Sequence, residues 1–238
     1  MEKIYRIADV TVAMDSYGRT EKQAIPYLIN MEQGLEPDIK IISYKNVFKQ
    51  MVPMITDDDA EYLGTGAGFY KELLHFQGFQ LHSSAVVYNN KAYLFSAHCG
   101  TGKSTHTNLW LELLGEKAYI LNDDKPALRL IDGVWYAFGT PWSGKHGINV
   151  NTGIPLGGIC MLERGEENSI APYSGKDAIF ELFVQTNRPK DAVYRIKLLE
   201  LLDNLFRHVP VWKMKCNKEL DAAKVSFEAM VGRKLEEI

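Results

Sequence analysis

Tyr93-Leu94-Phe95-Ser96-Ala97-His98-Cys99-Gly100-Thr101-Gly102-Lys103-Ser104-Thr105 is the stretch around which the rest of the chain is organised. The apolar run 93–95 reads as a buried strand, Gly100-Thr101-Gly102 breaks it, and Lys103-Ser104 opens a helix that continues through Leu114. Strand, glycine loop and helix start form a phosphate cradle. Glycines let successive backbone N–H groups point into one concavity, and a helix N-terminus adds a favourable potential for an anion. In the pattern G-x-x-x-x-G-K-[ST] the lysine reaches the outer phosphates and the next hydroxyl ligates Mg²⁺, roles that fall to Lys103 and Ser104. The first glycine of that pattern is replaced by Ala97, a departure where the chain must turn tightly out of the strand. The order of the elements still points to a nucleoside triphosphate, held by Cys99, Gly100, Thr101, Gly102, Lys103, Ser104 and Thr105. Cys99 reads as a small loop-filling residue, with redox sensitivity beside a helix N-terminus as the alternative.

Downstream, 118–121 reads as a buried strand with Asn122-Asp123-Asp124 at its carboxyl end, where open α/β sheets place ligands. Asp123 lies twenty residues beyond Lys103, room for one helix, a turn and a returning strand. One carboxylate there can hold Mg²⁺ against phosphates while its neighbour accepts a proton from an attacking hydroxyl. Ser104 and Asp123 are the expected metal ligands, although which aspartate serves the metal stays open. Further strands are expected at 81–88, 127–131, 134–138 and 155–162, with hairpin turns at Asn89-Asn90 and Asp132-Gly133. A glycine-rich loop occupies 139–147. Ile179, Leu182 and Phe183 start a helical pattern, 193–206 is amphipathic, 209–216 alternates like a strand, and 220–235 is a final helix.

Residues 1–75 read as a mostly β segment packed on a core of residues 76–238, with strand-like runs at 10–14 and 39–43. Gly64, Gly66 and Gly68 argue against a stable helix before Phe69. Asp57-Asp58-Asp59 reads as a solvated turn or helix start, since three adjacent carboxylates cannot all face one ion. The 238 residues, 46 % hydrophobic and 24 % charged with a formal net charge of −3, suit a globular α/β protein. That charge gives no general reason to expect nucleic acid or membrane as a partner. No secretory signal or membrane span is visible, and Cys99, Cys160 and Cys216 show no zinc or disulfide spacing, so a cytoplasmic location is the expectation.

Leu81-His82-Ser83-Ser84-Ala85, then Cys99-Gly100-Thr101-Gly102-Lys103-Ser104, then Asn122-Asp123-Asp124 together resemble the core shared by ATP-dependent phosphoenolpyruvate carboxykinases and HPr kinase/phosphorylases. The resemblance covers roughly residues 80–160. It implies an α/β fold, a P-loop core of mixed β-sheet with flanking helices, and an ATP-dependent kinase using Mg²⁺ or Mn²⁺. It also implies that His82 sits beside the transferred phosphate and that Asp124 or His82 activates the acceptor. Lys145, in Gly139-Thr140-Pro141-Trp142-Ser143-Gly144-Lys145, resembles a carboxykinase lysine that neutralises the phosphoryl group in flight. Arg188 is a further candidate phosphate contact, whereas His98 and His106, which flank the loop, are assigned no role. The implied acceptor is a hydroxyl group, that of serine in a peptide or protein or of a small metabolite, and the oligomeric state stays open, a homo-oligomer included. No oxaloacetate-binding half of a carboxykinase is recognisable, and nothing matches the long C-terminal signature of an HPr kinase. A non-catalytic nucleotide-binding regulator is the main rival, motivated by Ala97 and the short chain, and the unrecognised half makes a decarboxylating phosphotransferase a lesser one.

Overall fold

In the computed structural model, which describes residues 2–30 and 36–237, the chain begins with β1 (Lys3–Ile7), β2 (Val10–Met14) and α1 (Gly18–Ala24). After β3 (Ile39–Lys40) come α2 (Lys45–Met51), α3 (Asp57–Glu72), β4 (Gly78–Gln80), β5 (Ser83–Tyr88) and β6 (Lys91–Ser96). Then follow α4 (Lys103–Leu114), β7 (Ala118–Asn122), β8 (Ala127–Ile131), β9 (Val134–Phe138), β10 (Gly153–Arg164) and β11 (Ser169–Pro172). The chain ends with α5 (Gly175–Val184), α6 (Ala192–His208), β12 (Val211–Cys216) and α7 (Leu220–Val231).

Turn chemistry sets the first pairings. Asn89 (φ 47°) and Asn90 (φ 55°) join β5 to β6, and Asp132 (φ 48°) and Gly133 (φ 79°) join β8 to β9. Both are two-residue turns in left-handed backbone, whose twist matches that of the strands they join. The strands build a nine-stranded mixed sheet in the order β4-β8-β9-β10-β6-β5-β7, with β12 beside β10 and β11 beside β12. β10 pairs antiparallel with β9 through its first residues and parallel with β6 and β12 through the rest. Alternation along β5 and β6 covers both faces. Val86, Tyr88, Tyr93 and Phe95 pack with Trp110 of α4 and Phe227 of α7, while Ala85, Val87 and Leu94 pack with Leu182 of α5 and Leu202 of α6. The fold is mixed α/β. Among the described residues no helix is long and apolar enough to cross a membrane.

The N-terminal part differs from expectation. Among the described residues it is not mostly β: besides the small sheet β1-β2-β3 it holds the α-helices α1, α2 and α3, and Gly64, Gly66 and Gly68 lie inside the sixteen-residue α3. Their small size is used for approach rather than for flexibility. A Cβ on Gly64 would lie 2.4 Å from the Lys45 backbone nitrogen, and one on Gly68 2.6 Å from the Ile42 carbonyl oxygen. Thr56 caps the helix by accepting from the Asp59 amide at 3.1 Å, and Asp57, Asp58 and Asp59 occupy the positive first turn. The packing of α3 on the backbone around α2 outweighs a glycine penalty of about 1 kcal/mol per residue.

Candidate functional site

β6 ends at Ser96 and α4 starts at Lys103, so the glycine loop 97–102 leaves the carboxyl end of a strand inside the sheet. Gly100 (φ 77°) and Gly102 (φ 124°) hold left-handed backbone. A Cβ on Gly100 would touch nothing within 4 Å, so the backbone conformation, not crowding, calls for glycine there. The Lys103 side chain is buried, and its Nζ donates to the Ala97 carbonyl at 3.3 Å. Burial lowers its pKa, and the negative field of Asp124 partly opposes that shift. An ammonium has three donors, so one bond to Ala97 leaves two for an anion over the loop. Arg164, at the end of β10, donates to the Gly100 carbonyl and to the Thr101 carbonyl (3.4 Å), tethering the loop to the sheet.

The acidic pair is presented by Asn122. Its buried Oδ1 accepts from the amides of Asp124 (3.0 Å) and Lys125 (2.8 Å), and its Nδ2 donates to the Thr140 carbonyl at 3.0 Å. Asp123 Oδ1 accepts from Ser84 Oγ at 2.8 Å, and the same Ser84 hydroxyl lies 2.8 Å from Thr107 Oγ1. Thr107 stands one turn beyond Lys103 on α4, so β5 links the aspartate to the helix that the glycine loop opens. Asp123 Oδ2 and the Ser104 hydroxyl have no hydrogen-bond partner among the described residues. Both are hard oxygen donors of the kind Mg²⁺ and Mn²⁺ take. No group of three or more His, Cys, Asp or Glu residues forms a metal cluster among the described residues. A cation held here would therefore need further oxygens from a bound phosphate.

Both carboxylate oxygens of Asp124 have partners within the protein. Its Oδ1 lies 3.2 Å from His82 Nε2, and its Oδ2 accepts from Lys125 Nζ and from Tyr62 OH at 3.1 Å. Burial pushes the Asp124 carboxyl up, but the His82 hydrogen bond and the Lys125 charge outweigh it and hold the group well below the usual carboxylate range. His82 Nδ1 lies 3.1 Å from Gln185 Oε1, and its backbone N–H donates to the Gln185 carbonyl at 2.8 Å. The Gly144 amide donates to Tyr62 OH at 2.9 Å, and a Cβ on Gly144 would sit 3.3 Å from that of Asp124.

The structure thus gathers Lys103, Ser104, Asp123, Asp124 and His82 about one end of the strands. Lys145 follows Gly144 on an exposed turn of loop 139–147 and has no ion pair among the described residues. Cys99 and Thr105 are exposed, as is Arg188, which makes no polar contact among the described residues. His106 is buried, its pKa pushed down to about 4, with Nε2 2.8 Å from Ser226 Oγ, a packing role. Sequence reasoning assigns no part to Tyr62, Lys125, Arg164, Thr107 or Gln185. Lys125 follows the acidic pair directly, and that adjacency was the available signal. No local pattern marks the other four.

No family model matches the chain, and no curated protein matches it. Among solved structures it is similar to the HPr(Ser) kinase/phosphatase from Coxiella burnetii. The identity is 15 %, over 40 % of this chain and 70 % of that chain, with a TM-score of 0.29. That is a distant likeness.

Proposed function

We propose that the chain is an ATP-dependent kinase that transfers the γ-phosphoryl group to a hydroxyl acceptor. The observation that carries the reading is the Ser84 hydroxyl, which Asp123 and Thr107 share and which couples an acidic pair to the start of the helix after the glycine loop. In this reading Lys103 and the loop amides bind the β- and γ-phosphates, and Arg164 keeps the loop in place. Asp123 and Ser104 would hold Mg²⁺ or Mn²⁺, which when bound neutralises charge on the phosphates. Asp124 and His82 receive the acceptor hydroxyl at the end of β5. A carboxylate with a depressed pKa is a poor early base, but a loose phosphoryl-transfer transition state needs orientation first and proton removal late. Lys145 supplies a cation from loop 139–147.

The test is transfer of radiolabelled γ-phosphate, with calorimetric ATP binding measured in parallel. Lys103→Ala is expected to weaken Mg·ATP by at least about tenfold, or ~1.4 kcal/mol. Asp124→Asn is expected to keep binding within about threefold while lowering transfer by roughly 10²–10⁴-fold. A folded Lys103→Ala protein that binds ATP like the wild type would remove the loop from the assignment. A second reading, a non-catalytic nucleotide-binding regulator, draws support from Asp124, whose oxygens are both engaged within the protein. Tight ATP binding with no labelled acceptor in any fraction would favour it.

A further inference from the structure

A separate cleft of about 370 Å³ opens between the start of α1 and the turn after Gly144, lined by Arg19, Lys22, Gln23, Asp58, Lys145 and His146, among others. That volume is in the range of small-molecule sites. Its lining carries three permanent cations against one carboxylate, and Asp58 is already engaged: Oδ1 accepts from the Arg19 amide at 2.7 Å, and Oδ2 lies 3.8 Å from Arg19 Nε. The Arg19 guanidinium also pairs with Asp59 at 2.8 Å. Lys22 and Lys145 have no hydrogen-bond or ion-pair partner among the described residues. A second observation is independent of charge. Arg19 Nε and Gln23 Oε1, one donor and one acceptor on lining residues, are buried without a hydrogen bond. Buried polar atoms are nearly always paired, by protein, water or ligand.

The cleft also adjoins the acidic pair. Gln23 Nε2 donates to the Gly144 carbonyl at 2.8 Å, and Gly144 packs against Asp124. Gly144 directly precedes Lys145, which lines the cleft. We propose that this cleft seats the acceptor of the transfer described above, and that the acceptor is a small hydroxylated molecule bearing a carboxylate or phosphate. The inference rests on the kinase reading and names its substrate class. The anionic group takes the unpaired Lys22, which leaves Lys145 for the phosphoryl group, and the hydroxyl extends past Gly144 toward Asp124. The hydroxyl oxygen forms the new O–P bond, the β–γ bridging P–O bond breaks with its electron pair leaving on ADP, and the hydroxyl proton passes to the Asp124 carboxylate.

The test is calorimetric titration of inorganic phosphate, malonate and glycerol into wild-type protein saturated with a non-hydrolysable ATP analogue. Lys103→Ala protein without nucleotide is titrated in parallel, so that the glycine loop contributes no anion site in either case. At least one anion is expected to saturate a single site while glycerol does not, and the tighter of the two identifies the headgroup. Lys22→Gln is expected to weaken that anion by at least about fivefold, roughly 1 kcal/mol, and to leave analogue affinity unchanged. Absence of a saturable anion site, or Lys22→Gln binding as tightly as the wild type, overturns the proposal. Failure of the analogue to bind counts against the kinase reading instead, and the titration of Lys103→Ala protein still decides the cleft.

Discussion

Glu61 is 2 % exposed on α3; Oε2 accepts from Thr20 Oγ1 at 2.6 Å, and Oε1 is buried without a partner. Burial pushes its carboxyl up to about 7, against an opposing hydrogen bond from Thr20. The folded state therefore binds a proton that the unfolded chain has already released, and stability falls as pH rises from about 4.5 through about 7. Thermal unfolding at pH 5 and pH 8 should show this fall in the wild type and a flatter profile in Glu61→Gln. At pH 8 the variant should be more stable, by on the order of 1–3 kcal/mol. An unchanged profile would show that Glu61 stays ionised in the fold. At this scale Lys103, Asp123 and Asp124 are legible in the sequence, because glycine spacing and an apolar run directly precede them. Tyr62 and Arg164 are not, since each reaches the site from an element distant in sequence and no local period marks it.

At the scale of elements, the hairpins β5-β6 and β8-β9 and the helices α4 to α7 follow from turn residues and apolar period, which act over a few residues. α3 does not, because its glycines answer to a neighbour's backbone rather than to their own helix. Gly64→Ala separates the two effects. Helix propensity alone favours alanine by about 1 kcal/mol. The new Cβ would stand 2.4 Å from the Lys45 nitrogen and 2.8 Å from its Cα, both backbone atoms with little room to yield. Urea denaturation should show Gly64→Ala less stable by roughly 1–3 kcal/mol. A gain in stability would mean that α2 and α3 separate without cost. The strand β3 is shorter than the 39–43 run suggests, because its partner β2 pairs only through Val12 and Ala13.

Across the whole molecule, one apolar cluster joins Tyr5, Ile7, Val12, Met14 and Tyr27 of the N-terminal part to Ala127, Phe138 and Trp142 of the main sheet region. Arg129 spans the same junction, donating to the Ala8 carbonyl at 2.7 Å and to the Phe76 carbonyl at 2.9 Å. Unfolding in urea is expected to be a single transition, with far-UV circular dichroism and tryptophan fluorescence giving coincident midpoints. Two separated midpoints would mark the N-terminal part as an independent unit. Tyr27 OH bonds Asn149 across 122 residues, and Gln23 bonds Gly144 across 121. On a ribosome adding roughly 5–20 residues per second, the first helices emerge on the order of ten seconds before these partners exist. During that interval Tyr5, Ile7 and Tyr27 have no main-sheet surface to close against. The nascent chain passes through a sticky, half-built stage, and its acidic pair is clamped only when loop 139–147 arrives.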